Sequence, residues 1–133
     1  MKNQKIYRII DANLNRSKEG LRVIEDFARF AVSDKVISSE IKKQRHKLDK
    51  IARAIYPHLV NSRDSRSDVL REVKEPAKKN GFSVVVSNIK RVEESLRVLE
   101  EFSKIISSGA GARFKKIRFR IYDIEKQIIK KIK

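Results

Sequence analysis

Residues 13–30, NLNRSKEGLRVIEDFARF, return 75 positions later as residues 88–105, NIKRVEESLRVLEEFSKI. Eight of the eighteen positions are identical: Asn13/Asn88, Arg16/Arg91, Glu19/Glu94, Leu21/Leu96, Arg22/Arg97, Val23/Val98, Glu25/Glu100 and Phe27/Phe102. A second pair of segments aligns at a shift of 73, through Lys43/Lys116, Arg45/Arg118, Leu48/Ile121, Ile51/Ile124 and Ile55/Ile128. Such a duplication constrains the fold severely, because whatever one copy forms the other must be able to form as well. In the first copy the apolar seam runs through Ile6, Ile10, Leu14, Ser17, Leu21, Ile24, Ala28 and Ala31. Its alternating spacing of about four and three is that of a helix with one buried face. Ile37, Ile41, Leu48, Ile51 and Ile55 mark a second helix, with Ser33-Asp34 as the break and cap between them and Pro57 as the stop. The repeating unit is therefore a helical hairpin.

The second copy follows the same plan. Val84-Val85-Val86 looks like a strand in isolation but has no partner, so it reads as the entry to a third helix with its seam at Ile89, Val92, Leu96, Leu99, Ser103 and Ile106. Ser107-Ser108-Gly109-Ala110-Gly111 reads as a glycine-assisted helix end. A fourth helix follows at Phe114, Ile117, Ile121, Ile124 and Ile128. Each hairpin is apolar on one side only, and packing the two face to face buries both sides. The predicted fold is all-α: a four-helix bundle from two repeated hairpins with pseudo-twofold symmetry, burying Leu21, Ile24, Leu48, Leu96, Leu99 and Ile121. One domain spans 1–133, with repeat unit one at 5–56, a connecting loop at 57–82 and repeat unit two at 83–132. The 133 residues are too few for a (β/α)₈ barrel of about 250. A short helix is expected around Ser67–Lys79 within the polar joining segment.

Composition narrows the partners. There are 33 Lys and Arg against 17 Asp and Glu, a formal charge of +16, which favours anionic ligands. Cysteine is absent, which excludes a disulfide framework and thiolate metal sites. No apolar run approaches the roughly 20 residues of a membrane span, and neither a signal peptide nor its cleavage site is visible; a cytoplasmic protein is expected. His46 and His58 have no catalytic or metal-binding companions by spacing, and no phosphate-binding glycine loop is present. The Lys/Arg-rich run Arg113–Lys133 reads as a solvated helix face.

The core explains the repeated apolar residues but not the repeated polar ones. Arg16, Glu19 and Arg22 follow one another along a helix face, as do Arg91, Glu94 and Arg97. The plain reading is an exposed ladder of ion pairs, each worth about 0.2–0.5 kcal/mol. The sharper reading is that both faces line one shared cleft, in which guanidinium groups grip phosphate oxygens and carboxylates hold Mg²⁺. Asp11, Asn13, Asn88, Arg45 and Arg118 are candidates for its walls. Asn13 and Asn88 serve either as helix caps or as partners of a heteroaromatic ring, and Phe27 and Phe102 read as core. The loop carries Arg63, Asp64 and Asp68, either as a lid closing over a bound nucleotide or as a linker.

The doubled N-x-x-R-x-x-E-x-L-R-V-x-E signature and the SRDSRSDV loop resemble the helical hydroxymethylpyrimidine-phosphate kinase domain of thiamin biosynthesis. This family occurs alone or fused in front of the barrel of thiamin-phosphate synthase. The resemblance covers nearly the whole chain and implies transfer of the ATP γ-phosphoryl group, with Mg²⁺, to 4-amino-5-hydroxymethyl-2-methylpyrimidine phosphate. Ser95 stands where the first copy has Gly20, so the copies are not expected to hold the same group. Partners implied are the phosphorylated pyrimidine, ATP and thiamin-phosphate synthase, with homo-oligomerisation and the Mg²⁺ ligand left open. A non-catalytic module of the synthase is one rival. A nucleic-acid-binding helical protein is another, disfavoured because the repeated glutamates would repel a phosphate backbone.

Overall fold

A computed structural model describes residues 2–78 and 80–132. Every regular element in them is helical: α1 (Lys2–Asp26), α2 (Lys35–Arg53), α3 (Tyr56–Ser62), α4 (Gly81–Ile106) and α5 (Ser108–Ile132). The four seams become one core. Leu14, Leu21, Ile24, Ile41, Leu48, Ile89, Leu96, Leu99, Phe114, Ile121 and Ile128 are all buried in it, and Phe27 and Phe102 pack against its edge. α1 packs on α2 and α4, and α5 packs on α4 and α2, so each long helix is covered by two others. α3 lies against α1.

The helix ends differ from expectation in ways with local causes. After Asp26 the chain widens into one π-helical turn, Phe27–Ala31, where Val32 N–H donates to the Phe27 carbonyl at 3.1 Å. The extra residue rotates Ala31 out of the seam, and it is exposed. Ser33 then takes φ 57°, a left-handed residue at a helix end, and Asp34 N–H closes the motif on the Ala28 carbonyl at 2.9 Å. Asp34 also caps α2, accepting from Ile37 N–H at 2.9 Å.

Pro57 is expected to stop a helix, yet it sits in the first turn of α3, where its missing N–H costs nothing. The connecting loop 57–82 is correspondingly shorter. Most of α3 falls inside it, a 3₁₀ turn occupies Ser65–Ser67, and α4 begins at Gly81. The helix expected around Ser67–Lys79 is absent among the described residues, where 68–78 is turn and irregular backbone; Lys79 lies outside them. The break at 107–111 shrinks to Ser107 alone. Gly109 and Gly111 belong to the start of α5 rather than to a helix end, and neither has a positive φ. Gly111 instead gives room: a Cβ there would lie 2.9 Å from Lys104 Cγ and 3.2 Å from the Glu100 carbonyl.

Candidate functional site

α1 and α4 cross closely where Ser17 and Gly20 of the first meet Ser95 and Val92 of the second. Ser17 Oγ and Ser95 Oγ are 2.6 Å apart in a buried hydrogen bond. A Cβ on Gly20 would lie 2.6 Å from Val92 Cγ2, so only glycine fits that crossing. This close approach sets the shoulders of the two helices side by side. They enclose a hollow of about 490 Å³ lined by Asn13 and Arg16 from α1, and by Ser87, Arg91, Glu94, Ser95 and Val98 from α4. Glu75, from the joining segment, completes the lining and stands 3.5 Å from Arg91.

Of the sequence candidates, Asn13, Arg16, Arg91 and Glu94 thus share one hollow. Glu19, Arg22, Arg97 and Asn88 are not among its lining residues. Arg22 turns toward Glu25 at 3.6 Å and Asp26 at 3.9 Å, and Arg97 toward Glu100 at 3.4 Å and Glu101 at 3.0 Å. The expected ladder within each R-x-x-E-x-x-R run does not form among the described residues; the helical ion pairs lie one turn further on.

Asn13 and Asn88 are not caps, since both sit inside helices. Asn13 Nδ2 donates to the Ile9 carbonyl at 2.9 Å, and Asn88 Nδ2 to the Val84 carbonyl at 2.8 Å. That contact fixes the amide's orientation and leaves each Oδ1 as an acceptor. Asn13 Oδ1 meets Arg16 Nη1 at only 3.5 Å, a weak hold that a ligand's amino group can displace.

Arg45 and Arg118 are engaged elsewhere. Arg45 Nε donates to Glu25 at 2.9 Å, binding α2 to α1; Arg118 Nε donates to Glu100 at 3.0 Å, binding α5 to α4. Glu25/Glu100 and Arg45/Arg118 are repeat pairs, so this buried ion pair is built twice. It ties each hairpin together rather than lining the hollow.

Arg63 and Asp64 are held against α1. Arg63 grips both oxygens of Asp11, at 2.8 and 2.9 Å, and Arg8 donates to the Asp64 carbonyl at 2.8 Å. The Asp64 carboxylate caps the 3₁₀ turn through Ser67, whose hydroxyl and N–H hold its pKa low. Asp68 accepts from Leu70 N–H at 3.1 Å. Tyr7 and His58 stack with centroids 4.8 Å apart, pinning α3 to the same end of α1. Beyond Asp68 the segment leaves Val69, Leu70 and Val73 exposed before Glu75 returns to α4.

One carboxylate is strongly perturbed outside the hollow. Burial pushes Glu93 up to about 7, neighbouring Glu125 adds to the rise, and Lys90 opposes it. Among the described residues no group of three or more His, Cys, Asp or Glu gathers as a metal site. The hollow's donors are two guanidinium groups with Glu94 and Glu75. Of these only the two carboxylates would ligate Mg²⁺, in a complex whose other ligands come from phosphates and water. No helix in the described residues is long and apolar enough to cross a membrane.

Comparison with known proteins agrees with the doubled signature. The chain is 37% identical over 129 residues to a thiamine-phosphate synthase of Nostoc punctiforme, covering 95% of this chain and 36% of that protein. It is 39% identical over 131 residues to a thiamine-phosphate synthase of Prochlorococcus marinus, covering 96% and 37%. A Synechocystis thiamine-phosphate synthase is 38% identical over 127 residues, covering 93% and 36%. The chain spans little more than a third of the length of these relatives. No solved structure matches it. The ThiD2 family profile matches residues 8–127, nearly the full length, and the chain belongs to the ThiD2 family.

Proposed function

We propose that this chain transfers the γ-phosphoryl group of ATP to 4-amino-5-hydroxymethyl-2-methylpyrimidine phosphate, giving the diphosphate, with Mg²⁺ as the divalent ion. The observation that carries this reading is the hollow between α1 and α4, where Arg16 and Arg91, equivalent residues of the two repeats, stand beside Asn13 and Glu94. The ThiD2 family match and the relatives named thiamine-phosphate synthase support the thiamin context. The reading carries a cytoplasmic location, where ATP and Mg²⁺ are supplied.

The acceptor is itself a phosphate, so its oxygen is an anionic nucleophile that needs no activated side chain. That oxygen bonds to the γ-phosphorus as the β–γ bridging bond breaks, and ADP leaves. Positioning and charge neutralisation are the protein's share of such a reaction. Arg16 and Arg91 bind the phosphate oxygens, Asn13 Oδ1 accepts from the pyrimidine amino group, and Glu94 and Glu75 are the lining carboxylates that would hold the cation. In this reading Glu19, Arg22, Asn88 and Arg97, which are not among the lining residues, act on the ligand only as outer contacts, and Arg63 and Asp64 anchor the near end of the segment carrying Glu75.

The same reading takes the fold as a four-helix bundle with a pseudo-twofold axis through the α1–α4 crossing. Shifted by 75 residues, Ser17 corresponds to Val92 and Gly20 to Ser95. The Ser17–Ser95 and Val92–Gly20 contacts are therefore equivalents, which supports that symmetry.

Purified protein with MgATP and the pyrimidine monophosphate is expected to release ADP in proportion to acceptor. No release above the acceptor-free rate refutes the kinase. The second reading, a non-catalytic module of thiamin-phosphate synthase, is favoured by the chain matching only a third of those relatives. It predicts pyrimidine phosphate binding without ADP release.

A further inference from the structure

A second groove, of about 590 Å³, runs between α2 and α5 and shares no lining residue with the hollow. Six cations line it: Lys43, Lys47 and Lys50 from α2, and Arg113, Lys116 and Arg120 from α5. The two helices are antiparallel, as two ion pairs show: Asp34–Lys131 at 3.7 Å and, further along, Glu40–Arg120 at 2.8 Å. Arg120 also reaches Asp123 at 3.5 Å. Carboxylates thus neutralise one half of this interface.

The other half is different, and the repeat shows why. At the shift of 73 that relates α2 to α5, Glu40 corresponds to Arg113 and Lys47 to Arg120. By that correspondence the counterpart of the Glu40–Arg120 ion pair is Arg113 with Lys47, both of which line the groove. Where one half has a carboxylate against a guanidinium, the other has two cations. Lys43, Lys47, Lys50, Arg113 and Lys116 form no ion pair among the described residues, although carboxylates elsewhere on this chain are extensively paired. Leaving like charges opposed is destabilising unless an anion bridges them. Between the cations, Ile51 and Ile117 give the groove an apolar floor, and buried Gln44 donates to Glu40 at 3.0 Å while its Oε1 has no donor.

We propose that this groove binds a linear di- or triphosphate group, seated between Lys47, Lys50, Arg113 and Lys116. Lys47 and Lys50, and Arg113 and Lys116, are each about one helical turn apart, so a chain of linked phosphates can meet more of these cations at once than a single orthophosphate can. A nucleic acid would need a continuous positive track, and Glu40 and Asp123 close this one at the Arg120 end. The site stands independently of what the hollow does.

Titration calorimetry at fixed ionic strength tests it, with inorganic tripolyphosphate, diphosphate, orthophosphate and ATP as probes. Tripolyphosphate binding is expected to weaken by at least about tenfold in Arg113→Glu, which gives Lys47 the carboxylate that Arg120 already has. The free Arg113→Glu protein should melt higher than wild type, because a repulsive contact becomes an attractive one. Lys47→Gln should weaken binding without supplying a new ion pair. In Arg91→Gln, which alters only the hollow, this class of binding persists. ATP equal to tripolyphosphate assigns recognition to the phosphate chain, and ATP tighter adds a nucleoside contact; both support the site. Undiminished binding in Arg113→Glu, complete loss in Arg91→Gln, orthophosphate as tight as tripolyphosphate, or an oligonucleotide tighter still would each overturn it.

Discussion

Replacing Arg118 by Met keeps the volume of the side chain and removes its charge, which isolates the energetics of the doubled interhelix ion pair. The Glu100 and Arg118 side chains are 5% and 11% exposed. The substitution takes from Glu100 its 3.0 Å bond to Nε, and from the Tyr122 hydroxyl its 3.2 Å bond from Nη1. Leaving one buried member of a pair unpartnered costs about 3–5 kcal/mol. Glu100 retains Arg97 at 3.4 Å, but that side chain is 57% exposed. Such a solvated contact returns only about 0.2–1 kcal/mol. The expected loss is therefore about 2–4 kcal/mol, against a total stability of about 5–15 kcal/mol for a domain. With a urea slope of about 2 kcal/mol per molar, the unfolding midpoint falls by about 1–2 M. Removing both charges in Glu100→Leu/Arg118→Met should recover most of that loss, since apolar replacement of a buried pair is near neutral. Glu25 and Arg45 should behave alike in the other hairpin. A loss under about 1 kcal/mol in Arg118→Met, or a double variant no better than the single, would refute the view that desolvation governs this pair.

On the proposed kinase reading, Arg91→Gln should lower phosphoryl-transfer turnover by about ten- to a hundredfold through loss of a charge-assisted contact. Its melting temperature should hold, because Glu75, its one ion-pair partner among the described residues, is exposed; unchanged turnover would remove Arg91 from the site. Arg63→Ala should destabilise the protein by about 1–3 kcal/mol, because Asp11 is buried and gives both oxygens to Arg63. Chemical denaturation checks this, and an unchanged midpoint would leave Arg63 as a free loop residue. The raised Glu93 pKa makes the folded state bind its proton more tightly than the unfolded chain. Stability from this group is therefore greatest below about pH 4.5 and declines as pH rises through about 7. Glu93→Gln should flatten that part of the melting-temperature profile, and an unchanged slope would assign it to other groups.

The helices were legible because each seam has a single period and each seam residue has one place to go. Leu21, Leu48, Leu96 and Ile121 are buried for that reason. Periodicity also pointed to the recurrence of Glu25/Glu100 and Arg45/Arg118, yet it could not say that these residues pair with each other. Ion pairing is a tertiary fact: the partners are twenty residues apart in one hairpin and eighteen in the other. The same limit hid the hollow. Spacing alone groups Arg16, Glu19 and Arg22 on one helix face, whereas the crossing of α1 and α4 selects Arg16 and leaves the other two outside. Pro57 misled because proline suits a helix's first turn as well as its end, and the two are not distinguished locally. Glu75 had no signal at all, since its role depends on where an irregular segment crosses α4.

The two small contacts at the α1–α4 crossing also bear on how the halves recognise each other. On the proposed pseudo-twofold pairing, a molecule assembled from two first hairpins would set Ser17 against Gly20 at both contacts and leave a gap at each. Two second hairpins would set Val92 against Ser95 twice, where the chain has space for a side chain on one partner only. Neither hairpin is its own best complement, and each is shaped for the other. Cut within the joining segment, the protein is expected to yield fragments that favour mixed pairs over like pairs, as lock and key would if forged from one blank and then filed in opposite directions.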